Sequence, residues 1–502
     1  MSLNLHPSLY QANTRVWLTH LSRSLGRPAT LDDIPDADLD RLAAAGFEWV
    51  WMLGVWKTGA AGRTISRSNP EWRREFERTL PDLTDDDIGG SCFAIQNYTV
   101  PKSLGGPSAL KRLRLRLARR NLRLMLDFVP NHMAMDHAWV SAHPDYFIAG
   151  SDHDLAQAPQ NFFKAAGAAG GGRIFAHGRD PYFPGWPDTI QLDYGNPAVQ
   201  EAMTTELLGI AEQCDGVRCD MAMLLLPEVF HRTWGREARD FWPEAIARVR
   251  NAVARFTFLA EVYWDLEWTL QQKGFDYCYD KRLYDRLRDG PATPVRDHLR
   301  AGLDYQEHLA RFLENHDEPR ASATFSTGRH GAAAVITYFT PGLRFFHQGQ
   351  SEGARIRVSP HLVRGPEEPV DEALHSFYTR LLEVLKKPVF RTGSWQLLET
   401  ETAWEGNPTA ADFVAFAWTG SDGERALVAV NFSEHPAQCY VRLPWTDLAG
   451  KQHRLQDQLS AAVYDRDGHD LESRGLYLDV PEWHAHVFEV TDSEAVNDVP
   501  AA

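Results

Sequence analysis

Nowhere does this chain hold a run approaching the ~18 apolar residues that a membrane-spanning helix needs. Its opening stretch, MSLNLHPSLYQANTRVWL, lacks the basic segment followed by an apolar core that marks a secretory leader. Cysteine is scarce: Cys92, Cys214, Cys219, Cys278 and Cys439 are five in 502 residues. That odd number, at no zinc-type spacing, reads as buried free thiols in a reducing compartment, so a cytoplasmic location is expected. Basic residues are in deficit, with Lys+Arg 52 against Asp+Glu 68 and a net charge of −16. Such a balance opposes non-specific binding to nucleic acid or to anionic lipid. No internal repeat, no HExxH-type metal motif and no Gly-rich phosphate loop after the first strand are present, so a metal hydrolase and a doubly wound nucleotide fold are disfavoured.

What is present is an ordinary globular composition, 43% hydrophobic and 24% charged, with an unusual wealth of tryptophan, 16 in all. The length suits two or three domains. Short apolar strands alternate with helical pattern, at 14–21, 47–54, 122–129, 214–220, 257–263, 275–280, 310–317 and 342–349. Eight such units, closed by polar residues, point to an α/β fold, a (β/α)8 TIM barrel whose site lies at the C-terminal rim. Between them, PSALKRLRLRLARR (107–120) has the period of an amphipathic helix, with Ser108 as its expected cap and Leu110, Leu113 and Leu117 on one face. The basic residues there are its solvated side.

Two connections are too long for a plain crossover. Residues 133–192, with GAAGGGR (167–173) and DPYFPGWPDT (180–189), read as a subdomain inserted after the third strand. Residues 55–97 read as a loop with helical turns over the barrel mouth. Beyond 390 the alternation shifts to period two in WQLLET, FVAFAWTG, RALVAVNFS, AQCYVRLP, GLYLDV and HAHVFEV, an antiparallel β-sandwich. The expected division is a barrel over 1–132 and 193–390, an insert over 133–192, a β-domain over 391–491 and a loose tail over 492–502.

The chemistry gathers at strand ends. CDGVRCDMAM (214–223) places Arg218 and Asp220 two apart, hence on one face of a strand, where the guanidinium favours an ionised carboxylate. LDFVPNHM supplies Asp127, Asn131 and His132; FLAEVYW supplies Glu261; FLENHDEPR supplies Asn315, His316 and Asp317. Singly, each acid could be a helix cap or half of a salt bridge, and each histidine an ordinary buried one. A barrel brings strand ends to one mouth, so Asp220, Glu261 and Asp317 are expected together, with their protonation states split. One ionised carboxylate and one protonated carboxyl, its pKa raised by neighbouring negative charge, are what retaining glycoside cleavage requires.

These four stretches resemble, in order and spacing, the conserved regions of the α-amylase family of glycoside hydrolases (family 13). QLDYGNP (191–197), with Asp193, resembles that family's motif in the inserted domain, and GSCFAIQNY (90–98) its sugar-facing segment, with Phe93 as the aromatic. The resemblance implies Asp220 as nucleophile, Glu261 as general acid/base and Asp317 as the carboxylate gripping sugar hydroxyls. Arg218, His132, His316, Asp127, Phe93 and Asn131 would bind or support the sugar, and the aromatic run Tyr182, Phe183 and Trp186 is read separately as a surface for further sugar stacking. The activity implied is hydrolysis of soluble α-glucosides and α-gluco-oligosaccharides. Transglycosylation or sugar isomerisation is the alternative, and a non-catalytic sugar binder is disfavoured because all three acids are present. Met221-Ala222-Met223-Leu224 departs from the Lys-His pair many starch-degrading members carry, which marks the leaving-group side as unusual. No metal or other cofactor is expected, with Asn131 the ligand if calcium were to bind. Linkage, chain length and oligomeric state stay open.

Overall fold

Eight parallel strands close into a barrel in this computed structural model, which describes residues 5–165 and 172–493. They are β1 (Ser8–Asn13), β2 (Trp49–Leu53), β3 (Arg123–Phe128), β4 (Gly216–Cys219), β5 (Thr257–Ala260), β6 (Tyr277–Tyr279), β7 (Leu309–Arg311) and β8 (Leu343–His347). Each pairs with its sequence neighbours, and β8 closes on β1. Burial on both faces is why these strands read as near-continuous apolar runs: all five residues of Trp49–Leu53 and of Leu343–His347 are buried.

The first strand is not where the pattern suggested. Residues 14–21 belong to a helix, Thr14–Leu25, and β1 is the preceding SLYQAN. Asn13 decides this locally, because its side chain accepts the backbone N–H of Val16 and starts a helix through the Thr-, Val- and Trp-rich run. The helix expected at 107–120 spans Gly106–Ala118, with Leu110, Leu113 and Leu117 buried. Ser108 lies inside it; the cap is Gly105, in the left-handed region at φ 94°.

Between β3 and β4 lie two small antiparallel sheets. One pairs His132–Ala134 with Thr189–Gln191; the other joins Ala149–Gly150, Ile174–Ala176 and Phe162–Lys164. Of GAAGGGR, only residues 172 and 173 lie within the described residues. After β2 come two helices, Ala60–Ser68 and Pro70–Thr79, and a short pair of strands, Lys57–Thr58 with Ile95–Asn97.

The C-terminal part holds a six-stranded and a three-stranded antiparallel sheet. Strand Phe413–Thr419 shows how period two is used: Val414, Phe416 and Trp418 face the barrel's core, while Phe413, Ala415 and Ala417 face a second core. Trp418 also donates its indole N–H to the carbonyl of Phe339, tying that sheet to the barrel at 2.8 Å. Two strands had no clear apolar pattern, Gln452–Asp457 and Val463–Asp467, the latter at the sheet's edge with alternating exposure. The tail is described as far as residue 493.

Candidate active site

Asp220 and Glu261 stand one residue beyond β4 and β5, and the barrel's register brings them together. Cys219 pairs with Phe128 and Ala260, and the ladder continues as Asp220 N–H donates to Phe128 O at 2.8 Å and Glu261 N–H to Cys219 O at 3.0 Å. Arg218, fully enclosed, lies between them. Its Nη1 donates to Asp220 Oδ1 at 2.6 Å, and its Nη2 forms an ion pair with Glu261 Oε2 at 2.7 Å. Its Nε donates to the hydroxyl of Tyr279 at 3.3 Å, and its guanidinium carbon lies 5.3 Å from the ring centres of both Trp51 and Phe93. Burial opposes this charge, but Glu261, Tyr279 and Asp220 more than offset it, so Arg218 stays cationic.

Glu261 is held differently. Its Oε2 accepts the backbone N–H of Met221 at 2.7 Å, and its Oε1 accepts the hydroxyl of Tyr263 at 3.0 Å. Burial first, and only then the charges of Asp220 and Asp317, push its pKa up to about 8; Arg218 and the Met221 N–H work against that rise. The expected direction is present, but desolvation is its main cause, ahead of the neighbouring negative charge that the sequence suggested. Met221, next to Asp220, sits at φ 44°, a left-handed conformation uncommon for a non-glycine residue.

Asp317 is the open member of the trio, its side chain 39% exposed against 7% for Asp220 and 4% for Glu261. His316 Nε2 lies 3.1 Å from Asp317 Oδ2, and Gln11 donates its amide to His316 Nδ1 at 2.8 Å. With Nδ1 accepting, the ring's proton is on Nε2, toward Asp317. Burial lowers the His316 pKa to about 4, so the ring is neutral. Phe93 lies 5.4 Å from His316, and Trp186 lies 5.1 Å from His132, whose pKa burial also lowers.

Two of the anticipated residues face inward as braces. Asp127, 1% exposed, accepts from Trp51 Nε1 at 3.0 Å and from the Gly54 N–H at 2.8 Å, and burial raises its pKa to about 6. Asn131 and Gln191 bind each other's amides, at 3.1 and 3.2 Å. A calcium ion takes six to eight oxygen ligands, and these residues do not fit one. The Asn131 amide oxygen is engaged by Gln191, and Asp193 gives one carboxylate oxygen to the guanidinium of Arg236 and the other to the Gly195 N–H at 3.0 Å. After Asp220, Ala222, Met223, Leu224 and Leu225 are all buried, so no polar pair follows it.

Sequence reasoning missed Gln11, Trp51, Tyr263, Tyr279 and Arg236. Gln11 was hidden by the misplaced first strand. Tyr263 lay in view two residues beyond Glu261, the same-face spacing of extended chain. Trp51, Tyr279 and Arg236 carried no local signal.

Residues 82–274 match the family model for the α-amylase catalytic domain. Over that segment the chain is similar to the α-amylase family. A curated α-amylase family relative, α-amylase 3 of Dictyoglomus thermophilum, is 21% identical over 305 residues, covering 56% of this chain and 57% of the relative's length. Among solved structures, a maltogenic α-amylase from Thermotoga neapolitana superposes with TM-score 0.69 at 19% identity, over 97% of this chain and 98% of that one. An α-amylase from Lactobacillus plantarum gives 0.66 at 20% identity, over 97% and 99%. The α-amylase fold is therefore shared along nearly the whole chain.

Proposed function

We propose that the protein is a retaining α-glycoside hydrolase acting on soluble α-glucosides and α-gluco-oligosaccharides. The observation that carries this reading is one guanidinium, Arg218, reaching both Asp220 and Glu261. Carboxyl groups ~5 Å apart act as nucleophile and acid, whereas inverting pairs stand further apart to admit water between them. Asp220, on the cation, attacks the anomeric carbon and forms a glycosyl ester. Glu261, neutral below about pH 8, protonates the departing oxygen and then takes a proton from the water that releases the sugar. Asp317, with His316 behind it, accepts hydroxyls of the reacting sugar, while Asp127 and Asn131 hold the frame.

The units read from the sequence, a barrel over 1–132 and 193–390, an insert over 133–192 and a β-domain over 391–491, form the working division. A cytoplasmic location is supported by five buried cysteines, all of them free. Among the described residues no helix is long and apolar enough to cross a membrane.

Transfer to a sugar acceptor is the second reading. It is favoured by Tyr182 and Phe183, 57% and 66% exposed, in the stretch preceding Trp186. Incubation with maltose and maltotriose, followed by chromatography and proton NMR of the fresh products, tests both. The reducing end newly formed at the cleaved bond is expected first as the α-anomer for retaining hydrolysis, over the α/β mixture the substrate's own reducing end already carries; longer or isomeric sugars indicate transfer. A new reducing end formed first as the β-anomer would refute the retaining assignment.

A further inference from the structure

The two oxygens of Glu261 are not equivalent, and Tyr263 is the reason. Oε2 accepts the Met221 N–H at 2.7 Å and lies 2.7 Å from the positive Arg218 guanidinium. A proton on Oε2 would face that N–H hydrogen and that positive charge. Oε1 has a hydroxyl for company, that of Tyr263 at 3.0 Å, and a hydroxyl can both donate and accept. The left-handed turn at Met221 is strained for a non-glycine residue, and its result is to aim a backbone N–H at Oε2.

From this geometry, and resting on the reading of Glu261 as acid/base, we infer that Tyr263 is a positioning residue that keeps the transferable proton of Glu261 on Oε1. In the resting enzyme Oε1–H donates to the Tyr263 oxygen. When sugar is bound, that hydrogen turns to the glycosidic oxygen. It transfers as the bond from the anomeric carbon to that oxygen breaks and the bond from the anomeric carbon to Asp220 forms, and the departing sugar leaves as a neutral alcohol. The carboxylate left behind accepts the Tyr263 hydroxyl at Oε1. In the second half, water bonds to the anomeric carbon, the Asp220 ester opens, and the water's second proton returns to Oε1. The other groups around Glu261 are Arg218, Asp220, Asp317 and the phenol of Tyr279. Arg218 has no acceptor atom, and the hydroxyl of Tyr263 is the group that lies at hydrogen-bond distance from Oε1.

Comparing Tyr263→Phe with the unaltered enzyme on maltotriose and on α-maltosyl fluoride tests this, using kcat/KM, which reads the steps up to departure of the leaving group. Fluoride departs without being protonated; a sugar does not. The expected result is a loss of about tenfold or more on maltotriose with a much smaller loss on the fluoride. The basic limb of the maltotriose pH profile should also move to higher pH, because the ionised carboxylate has lost a donor. Equal losses on the two substrates with an unmoved pH profile, or no loss, would overturn the inference. If Y263F does not fold, Tyr263→Leu carries the same comparison, since it too lacks the hydroxyl. An unaltered enzyme inactive on both substrates would instead remove the glycosidase reading, and this inference with it.

Discussion

The Nη2 of Arg218 stands 2.7 Å from Glu261 Oε2, with the arginine side chain wholly shielded from solvent. Removing one partner of such a buried pair typically costs about 3–5 kcal/mol, because the remaining charge is left uncompensated. Here the cost falls on the Asp220 carboxylate, and Glu261, neutral below about pH 8, loses its guanidinium neighbour as well. Arg218→Met should lower the melting temperature and reduce kcat/KM by at least about a thousandfold. Arg218→Lys should recover little of either, since an ammonium cannot span Asp220 and Glu261 as a planar fork does. Calorimetry alongside kinetics on both variants checks this. A lysine variant with near-normal activity would show that the bridging geometry is dispensable.

The raised pKa of Glu261 makes a claim about stability as well as rate. Between its ordinary value of 4.5 and about 8, the folded protein holds a proton that the unfolded chain has released. Stability contributed by this group is therefore lost as pH rises through that window. Glu261→Gln, which cannot ionise, should gain stability relative to the unaltered protein as pH is taken from 5 to 9. Paired melting curves at those two values give the answer, and a pH-independent difference would contradict it. Activity should fall on the basic side near pH 8, as the acid form is depleted.

How much of this could be read from the residues alone divides along physical lines. The three acids were legible because each closes an apolar run, and a barrel allows few places for such ends to go. β1 was misread because Thr14–Leu21 is rich in residues that favour strands, and only the Asn13 cap reveals the helix. The strands at 452–457 and 463–467 escaped because their exposed positions interrupt any apolar pattern. The bonds from Gln11 to His316 and from Arg236 to Asp193 join residues 305 and 43 positions apart, where no local pattern reaches.

The Arg236–Asp193 contact sets an expectation about metal. With the Asp193 carboxylate already facing a guanidinium, a calcium chelator should leave the melting temperature unchanged. Arg236→Met should lower it, and added calcium should not restore it. Thermal melts with and without EDTA decide this, and a marked drop on chelation would refute it.

Trp186 lies against His132 without touching the acids' hydrogen-bond network. An aromatic ring that packs on the bound sugar, the role proposed for Trp186, binds ground state and transition state alike. Trp186→Ala should therefore raise KM several-fold and change kcat less, consistent with ~0.5–1.5 kcal/mol for an aromatic contact. A fall in kcat at constant KM would place the ring's effect in the chemical step instead.

Most direct of all is to catch the covalent intermediate. A 5-fluoro-α-glucosyl fluoride has a good leaving group, and its ring fluorine slows release of the ester it forms. Brief incubation, proteolysis and mass spectrometry should find the glycosyl mass on the peptide containing Asp220, and no adduct after Asp220→Asn. A label on Glu261 or Asp317, or turnover with no protein adduct at any time, would contradict the assignment of Asp220 as nucleophile.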